Sequence, residues 1–256
     1  MKAKKSYGQH FLTSEDISRR IANSLSMEGY NRILEVGPGQ GMLTKYLLQK
    51  EADLLVVEAD RDMVHYLEAH YEALHERIIP ADFLKLDLNL FFENEPFALI
   101  GNYPYNISSQ ILIKQLEYRM RIPEMVGMFQ KEVAERVVAA PGNKTYGVIS
   151  VLVQAYYEGE YLFTVKPGSF NPPPKVQSAV IRLRRKENQD LGCDPKLFKR
   201  VVKQAFGQRR KMLRNTMKTF LNGQDILQDD FFNLRPEKLS VADFVQLTKW
   251  IENNQG

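Results

Sequence analysis

Five short apolar runs, "RILEVG" (32–37), "DLLVVEA" (53–59), "RIIPADF" (77–83), "FALIGN" (97–102) and "EMVGMFQ" (124–130), recur along the first half of the chain, with helix-like stretches between most of them. Unbroken apolar runs of this length read as strands buried on both faces, and strands separated by helices impose right-handed crossovers. The pattern predicts an α/β fold, with a mostly parallel sheet covered by helices on both sides. Two later runs, "EYLFTVK" (160–166) and "VQSAVIRLRR" (176–185), are joined by the proline-rich "PGSFNPPPK" without a helix, which predicts an antiparallel addition at one sheet edge. Residues 14–26 predict a leading helix, with Ser14 as its N-cap and Ile17, Ile21, Ala22 and Leu25 at helical spacing.

The strand pattern stops at Arg185. A chain of 256 residues fits either one large domain or an ordinary one with a smaller appendage. The polar segment "KENQDLGCDP" reads as a linker and favours the second, with domains at 1–185 and 186–256. Beyond the linker the pattern is wholly helical. Asp194 is the expected N-cap and Pro195 sits in the first turn, with Leu197, Val201 and Ala205 on one face. The net charge is only +4, from 35 basic and 31 acidic side chains, but its distribution is uneven. Every charged residue from Lys196 to Lys218 is basic: Lys196, Lys199, Arg200, Lys203, Arg209, Arg210, Lys211, Arg214 and Lys218. That run is either a solvated helix face or a surface for a polyanion.

Other classes are disfavoured. No apolar run approaches the length of a membrane span, and "MKAKKSYGQHFL" lacks the apolar core of a secretory signal, so a cytoplasmic location is expected. A single cysteine, Cys193, and four scattered histidines offer neither a disulfide nor metal-ligand spacing, and no metal is expected.

Chemistry concentrates where strands end. In "LEVGPGQGMLTKYL" a buried strand meets a turn carrying Gly37, Gly39 and Gly41 and then a helix; such a turn either admits a ligand close to the backbone or merely tightens the strand–helix connection. Its G-x-G-x-G spacing, with Glu35 ahead of it, departs from the G-x-G-x-x-G of a dinucleotide site. Glu58 ends the next strand, where a carboxylate can accept both hydroxyl protons of a ribose. Asp82 closes the third strand in "IIPADF", where it can accept from an adenine amino group, and Asn102 closes the fourth strand on the same rim.

Asn102 opens "NYPYN". Pro104 has no N–H and biases Tyr103 toward an extended conformation, giving a rigid arch with carbonyls free to accept. A proline turn with Asn as polar cap is one reading. The other is a grip on an exocyclic amine, with the Asn102 oxygen and the carbonyl of Tyr103 or Pro104 taking its two hydrogens and Tyr105 stacking on the base. Such acceptors favour the pyramidal nitrogen whose lone pair can attack an activated methyl group, and no strong base is needed.

Seven segments, "YGQHFL" (7–12), "ILEVGPGQGMLT" (33–44), "VVEADRDM" (56–63), "GNYPYNIS" (101–108), "FQKEVAERVVAAPGNKTYGVISVLVQ" (129–154), "FNPPPKVQSAVIRL" (170–183) and "AFGQRRKMLRN" (205–215), resemble class I S-adenosylmethionine-dependent methyltransferases. More narrowly, they resemble the ribosomal RNA adenine N6-dimethyltransferase family. The resemblance implies a Rossmann-like catalytic domain, a small all-α C-terminal domain, and S-adenosyl-L-methionine as cofactor, leaving as S-adenosyl-L-homocysteine. It implies cofactor contacts from His10, Leu12, Gly37, Gly39, Glu58, Asp82 and Asn102, and a target pocket of Asn102, Pro104, Tyr105 and Phe170, the last as a second aromatic wall. His10 stands where the family commonly has Asn, and Tyr103 where Leu is common.

The implied substrates are two adjacent adenosines in the 3′-terminal hairpin loop of small-subunit ribosomal RNA, each methylated twice in the immature small ribosomal subunit by a monomeric enzyme. Lys196, Lys199, Arg200, Lys203, Arg209, Arg210, Lys211 and Arg214 would contact RNA, and Lys2, Lys4 and Lys5 are further candidates. Three alternatives stay open: a resistance-type enzyme acting on large-subunit RNA, a noncatalytic assembly factor of the same fold, and a DNA adenine methyltransferase, a class that commonly carries Asp where Asn102 stands.

Overall fold

The computed structural model describes residues 9–221 and 225–254. Lys2, Lys4 and Lys5, with Tyr7 and Gly8 of "YGQHFL", lie outside the described residues. A two-residue strand, β1 (Phe11–Leu12), leads to helix α1 (Glu15–Asn23). There the Ser14 side chain accepts from the Ile17 N–H and Ile21 and Ala22 are fully buried, as their spacing predicts. The sheet follows as β2 (Arg32–Val36), β3 (Asp53–Glu58), β4 (Ile78–Pro80), β5 (Ala98–Asn102) and β6 (Glu124–Gln130), all parallel, with α2 (Thr44–Leu47), α3 (Arg61–His70) and α4 (Ser108–Glu117) in the crossovers. After α5 (Lys131–Val138) and α6 (Val148–Gln154) come β7 (Tyr157–Val165), β8 (Phe170–Asn171) and β9 (Ser178–Arg185).

The strand order is β4-β3-β2-β5-β6-β9-β7. β9 runs antiparallel to β6, from Glu124 opposite Arg184 to Gln130 opposite Ser178, so the expected antiparallel edge is present. The chain winds outward from β2 through β3 to β4 and then returns to β5 on the other side. That reversal opens a crevice at the carboxyl ends of β2 and β5, where neighbouring crossovers diverge. The strands around it are buried on both faces: Ile33, Leu34, Val56, Ala98, Leu99, Ile100 and Val126 have no exposed surface.

β8 does not join this sheet. It pairs antiparallel with β1, Leu12 opposite Phe170 and Phe11 opposite Asn171, and Thr13 adds two bonds to the Ser169 carbonyl, from its N–H (2.8 Å) and its hydroxyl (3.0 Å). The N-terminal segment is thus tied to the proline-rich loop.

Contacts group the chain into two compact units, Met1–Ala134 with Glu158–Arg185 and Glu135–Tyr157 with Lys186–Gly256. The division after Arg185 falls at the expected linker, but residues 135–157, expected in the first domain, group with the C-terminal helices. Helix α6 is apolar on most sides and needs cover, which α7 (Pro195–Gly207) supplies. The Tyr146 ring meets Phe206 edge-on at 6.2 Å. Asp194 caps α7 by accepting from the Lys196 and Leu197 N–H groups. With α8 (Leu213–Thr216), α9 (Lys218–Leu221) and α10 (Val241–Asn253), this unit encloses Phe198, Phe232, Phe244 and Ile251. Lys196, Arg200, Lys203, Arg210 and Lys211 are exposed, and Lys199, Arg209 and Arg214 are partly so.

Candidate active site

Four consecutive parallel strands deliver the polar groups of the crevice. After β2 the chain turns through Gly37, Gly39 and Gly41, all at positive φ. At Gly41 the requirement is twofold, because φ is +78° and an added Cβ would lie 2.5 Å from the Tyr71 ring. The Tyr71 hydroxyl donates to the carbonyls of Gln40 (3.2 Å) and Gly41 (3.0 Å), which fixes the turn from outside. Glu58, at the end of β3, fixes it from inside: one carboxylate oxygen accepts the Gly39 N–H at 3.1 Å and the other the Asp60 N–H at 2.9 Å. Burial pushes the Glu58 carboxyl above the ordinary carboxylate range, and those N–H groups oppose the shift.

The crevice is a cavity of about 550 Å³, walled by the glycine turn, Glu58, Asp82, the N-terminal segment 9–12 and residues 102–107. His10, Leu12, Gly37, Gly39, Glu58, Asp82, Asn102, Pro104 and Tyr105 all line it. Phe170 does not. Expected as a second aromatic wall, it is only 4% exposed and belongs to the apolar core, held there by its pairing with Leu12. Asp82 lies two residues past the end of β4 rather than closing it. It caps the short turn 83–85, one carboxylate oxygen accepting the Leu84 N–H at 3.0 Å.

Asn102 is oriented by a partner far off in sequence. Its Nδ2 donates to the His10 carbonyl at 3.1 Å. A carbonyl can only accept, so the amide nitrogen faces His10 and Oδ1 keeps its lone pairs. The arch that follows is pinned at both ends: the Tyr103 N–H donates to Met128 O at 3.1 Å, and Pro104 O accepts the Ile107 N–H at 3.2 Å while retaining a second lone pair. The Tyr105 hydroxyl bonds Ser178 Oγ at 2.5 Å, and burial raises its pKa. Tyr103 turns inward instead. Its ring lies over Gly101 and Gly127, paired neighbours on β5 and β6, and its buried hydroxyl has no partner among the described residues.

Several residues that shape the site carry no signal in the sequence. Lys114 on α4 reads as a surface lysine, yet it is 7% exposed and its Nζ donates to Leu84 O (3.0 Å) and Leu86 O (2.5 Å), holding the stretch after Asp82. Arg121 does the same further along, donating to the carbonyls of Leu88, Phe91 and Glu95. Glu35 is buried in the cavity wall, and its Oε2 has no hydrogen-bond partner among the described residues. Burial pushes its carboxyl up to about 8, the Thr44 hydroxyl offsets part of that, and the nearby Glu58 adds to it. Among the described residues no helix is long and apolar enough to cross a membrane.

The turn after β2 keeps the G-x-G-x-G spacing rather than the G-x-G-x-x-G of a dinucleotide site, and the antiparallel β9 is inserted between β6 and the edge strand β7; together these define the class I methyltransferase fold. Residues 1–253 match the model of the family described as ribosomal RNA adenine dimethylase, and the chain belongs to that family. It is 55% identical over 253 residues to the ribosomal RNA small subunit methyltransferase A of Flavobacterium johnsoniae, covering 98% of this chain and 97% of that one. With the protein of the same name from Bacteroides fragilis it shares 54% over 254 residues, 98% of this chain and 93% of the other. Among solved structures, a dimethyladenosine transferase from Plasmodium falciparum superposes with a TM-score of 0.82 at 25% identity, covering 95% of this chain and 98% of that one.

Proposed function

We propose that this chain dimethylates the N6 amino group of two adjacent adenosines in the 3′-terminal hairpin loop of small-subunit ribosomal RNA, as a cytoplasmic monomer acting on the immature small subunit, with S-adenosyl-L-methionine as methyl donor. The residues of the crevice fit that cofactor. The volume suits a small molecule of its size, the glycine turn admits close backbone approach, and Glu58 retains lone pairs beyond those given to Gly39 and Asp60. When bound, the cofactor supplies a methyl group made electrophilic by its positively charged sulfur.

Each residue then has a defined task. Glu58 accepts the ribose hydroxyls, Asp82 the adenine amino group, and the backbone of His10, Leu12, Gly37 and Gly39 closes around the rest. Asn102 Oδ1 and a carbonyl of the Tyr103–Pro104 arch accept the two hydrogens of the target amine, while Tyr105 stacks on the extruded base. Phe170 supports this wall from behind, through Leu12. The basic face from Lys196 to Arg214 holds the RNA phosphates.

The single observation that carries the reading is the Asn102 carboxamide: its nitrogen is already committed to His10 O, so its oxygen is the group left for an incoming N–H. The test is incorporation of labelled methyl into small subunits lacking the modification, with the product identified by mass. N6,N6-dimethyladenosine at adjacent positions is expected. Preference for protein-free large-subunit RNA or duplex DNA would transfer the assignment to the resistance-type or DNA-modifying readings.

A further inference from the structure

His10 lines the crevice and makes three contacts outside its own segment. Its main-chain carbonyl accepts from Asn102 Nδ2 at 3.1 Å, its ring Nδ1 lies 2.8 Å from the Pro172 carbonyl, and its ring stacks on Tyr105 with centroids 5.5 Å apart and planes 28° from parallel. The first contact belongs to the backbone and would survive any side chain. The other two belong to the imidazole alone. Pro172 O can only accept, so Nδ1 carries a hydrogen in whichever charge state the ring adopts. The ring also stacks on one face of Tyr105, whose hydroxyl is held by Ser178 Oγ at 2.5 Å. Tyr105 is therefore fixed at its face and at its tip, and the loop beginning at Pro172 is drawn to the same imidazole.

We propose that the His10 side chain is a positioning residue for the RNA substrate, which locks the stacking ring of Tyr105 and the loop after Phe170 in one arrangement before the base arrives. This deepens the role given to Tyr105 above and rests on that reading. The physical basis is preorganisation: a stacking ring already confined to one rotamer loses less freedom when a base settles on its open face. The segments that His10 joins, 10–12, 102–105 and 170–172, are also coupled through β1–β8 and the Asn102 bond.

Two kinds of measurement test it. The first needs no activity. Nitrogen-15 spectra of histidine-labelled protein, with the His10 signal assigned by its disappearance in His10→Asn, are expected to show the hydrogen on Nδ1; a bare Nδ1 with the hydrogen on Nε2 overturns the proposal. The second separates the two contacts. His10→Asn retains a donor near the Nδ1 position and removes the ring, whereas His10→Phe retains a ring and removes the donor. Each is expected to raise the KM for small-subunit particles roughly three- to tenfold while calorimetric cofactor affinity stays within about twofold. His10→Ala is expected to combine the two effects, and melting curves exclude a folding defect.

A wild-type particle KM in either of these two variants overturns the proposal, because the interaction it removes would then be idle. So does a cofactor affinity weakened beyond about tenfold with an unchanged particle KM, which would make the imidazole a cofactor ligand. A wild-type enzyme that methylates no small subunit sinks the substrate assignment instead, and the spectra then still decide the hydrogen bond.

Discussion

Asn102 and Glu35 differ in how their polar atoms are satisfied, and each difference has a measurable consequence. Asn102 has one end of its amide committed and the other free. Asn102→Ala removes the acceptor but leaves the glycine turn and Glu58 untouched. Methyl transfer is expected to fall by a factor on the order of a thousand or more, with cofactor affinity weakened less than about tenfold. Turnover near the wild-type rate would contradict the role. Glu35 is buried with an oxygen that has no partner among the described residues, and it is pushed up to about 8 from its ordinary 4.5. An unfolded chain releases that proton near the ordinary value, while the folded one holds it until near 8. Folding therefore weakens as pH rises through this window, and the penalty levels off above it. Glu35→Gln is expected to remove a cost on the order of a few kcal/mol, so that the melting temperature of the variant gains on the wild type between about pH 5 and about pH 8.5. A constant difference across that range would mean the carboxyl is hydrated or paired.

At the scale of elements, β5 and β6 meet through two facing glycines, Gly101 and Gly127, and the Tyr103 ring lies on the shelf they make. A Cβ at Gly127 would stand 2.0 Å from the Tyr103 ring and 3.0 Å from Phe129. Neither ring can move freely, since both are fully buried and packed on each other at 5.0 Å. Gly127→Ala is expected to cost about 1–3 kcal/mol of unfolding free energy by denaturant melt. In a Tyr103→Leu background the cost is expected to shrink, because the smaller side chain vacates the shelf. A double-mutant cycle with no coupling would show that the clash is relieved elsewhere. The arch backbone stays where β5 ends in either background, so the carbonyls of Tyr103 and Pro104 are not expected to shift. The long connection from β4 to β5 depends on different physics: it contains only short turns, and Lys114 and Arg121 donate to several of its carbonyls from outside the segment.

For the molecule as a whole, charge is partitioned by unit rather than by total. A net charge of +4 says little about partners, but the exposed part of the run from Lys196 to Lys211 carries no acid. Reversing Arg209, Arg210 and Lys211 together is expected to weaken binding to small-subunit particles and to reduce the salt slope of log affinity by about one for each phosphate that is no longer neutralised. Cofactor affinity is expected to stay at its wild-type value. An unchanged slope would assign this face to ordinary solvation.

Local order in the chain determined the seven strands of the main sheet, the first helix with its Ser14 cap, the α7 start at Asp194, and the presence of Gly37, Glu58 and Asn102 at strand ends that neighbour one another in the sheet. Each rests on periodicity, turn chemistry or capping, which act over a few residues and leave a mark in one sequence. Tertiary structure alone decided that Phe11 and Leu12 would pair with residues 170–171, that His10 would orient the Asn102 amide, that Ser178 would hold Tyr105, and that Phe170 would be buried. It also decided that α6 would find its cover on α7. These pairings span tens to more than a hundred residues and are set by which surfaces the sheet order brings together. The physical reason they were illegible is that a partner distant in the chain imposes no spacing on the residue it meets.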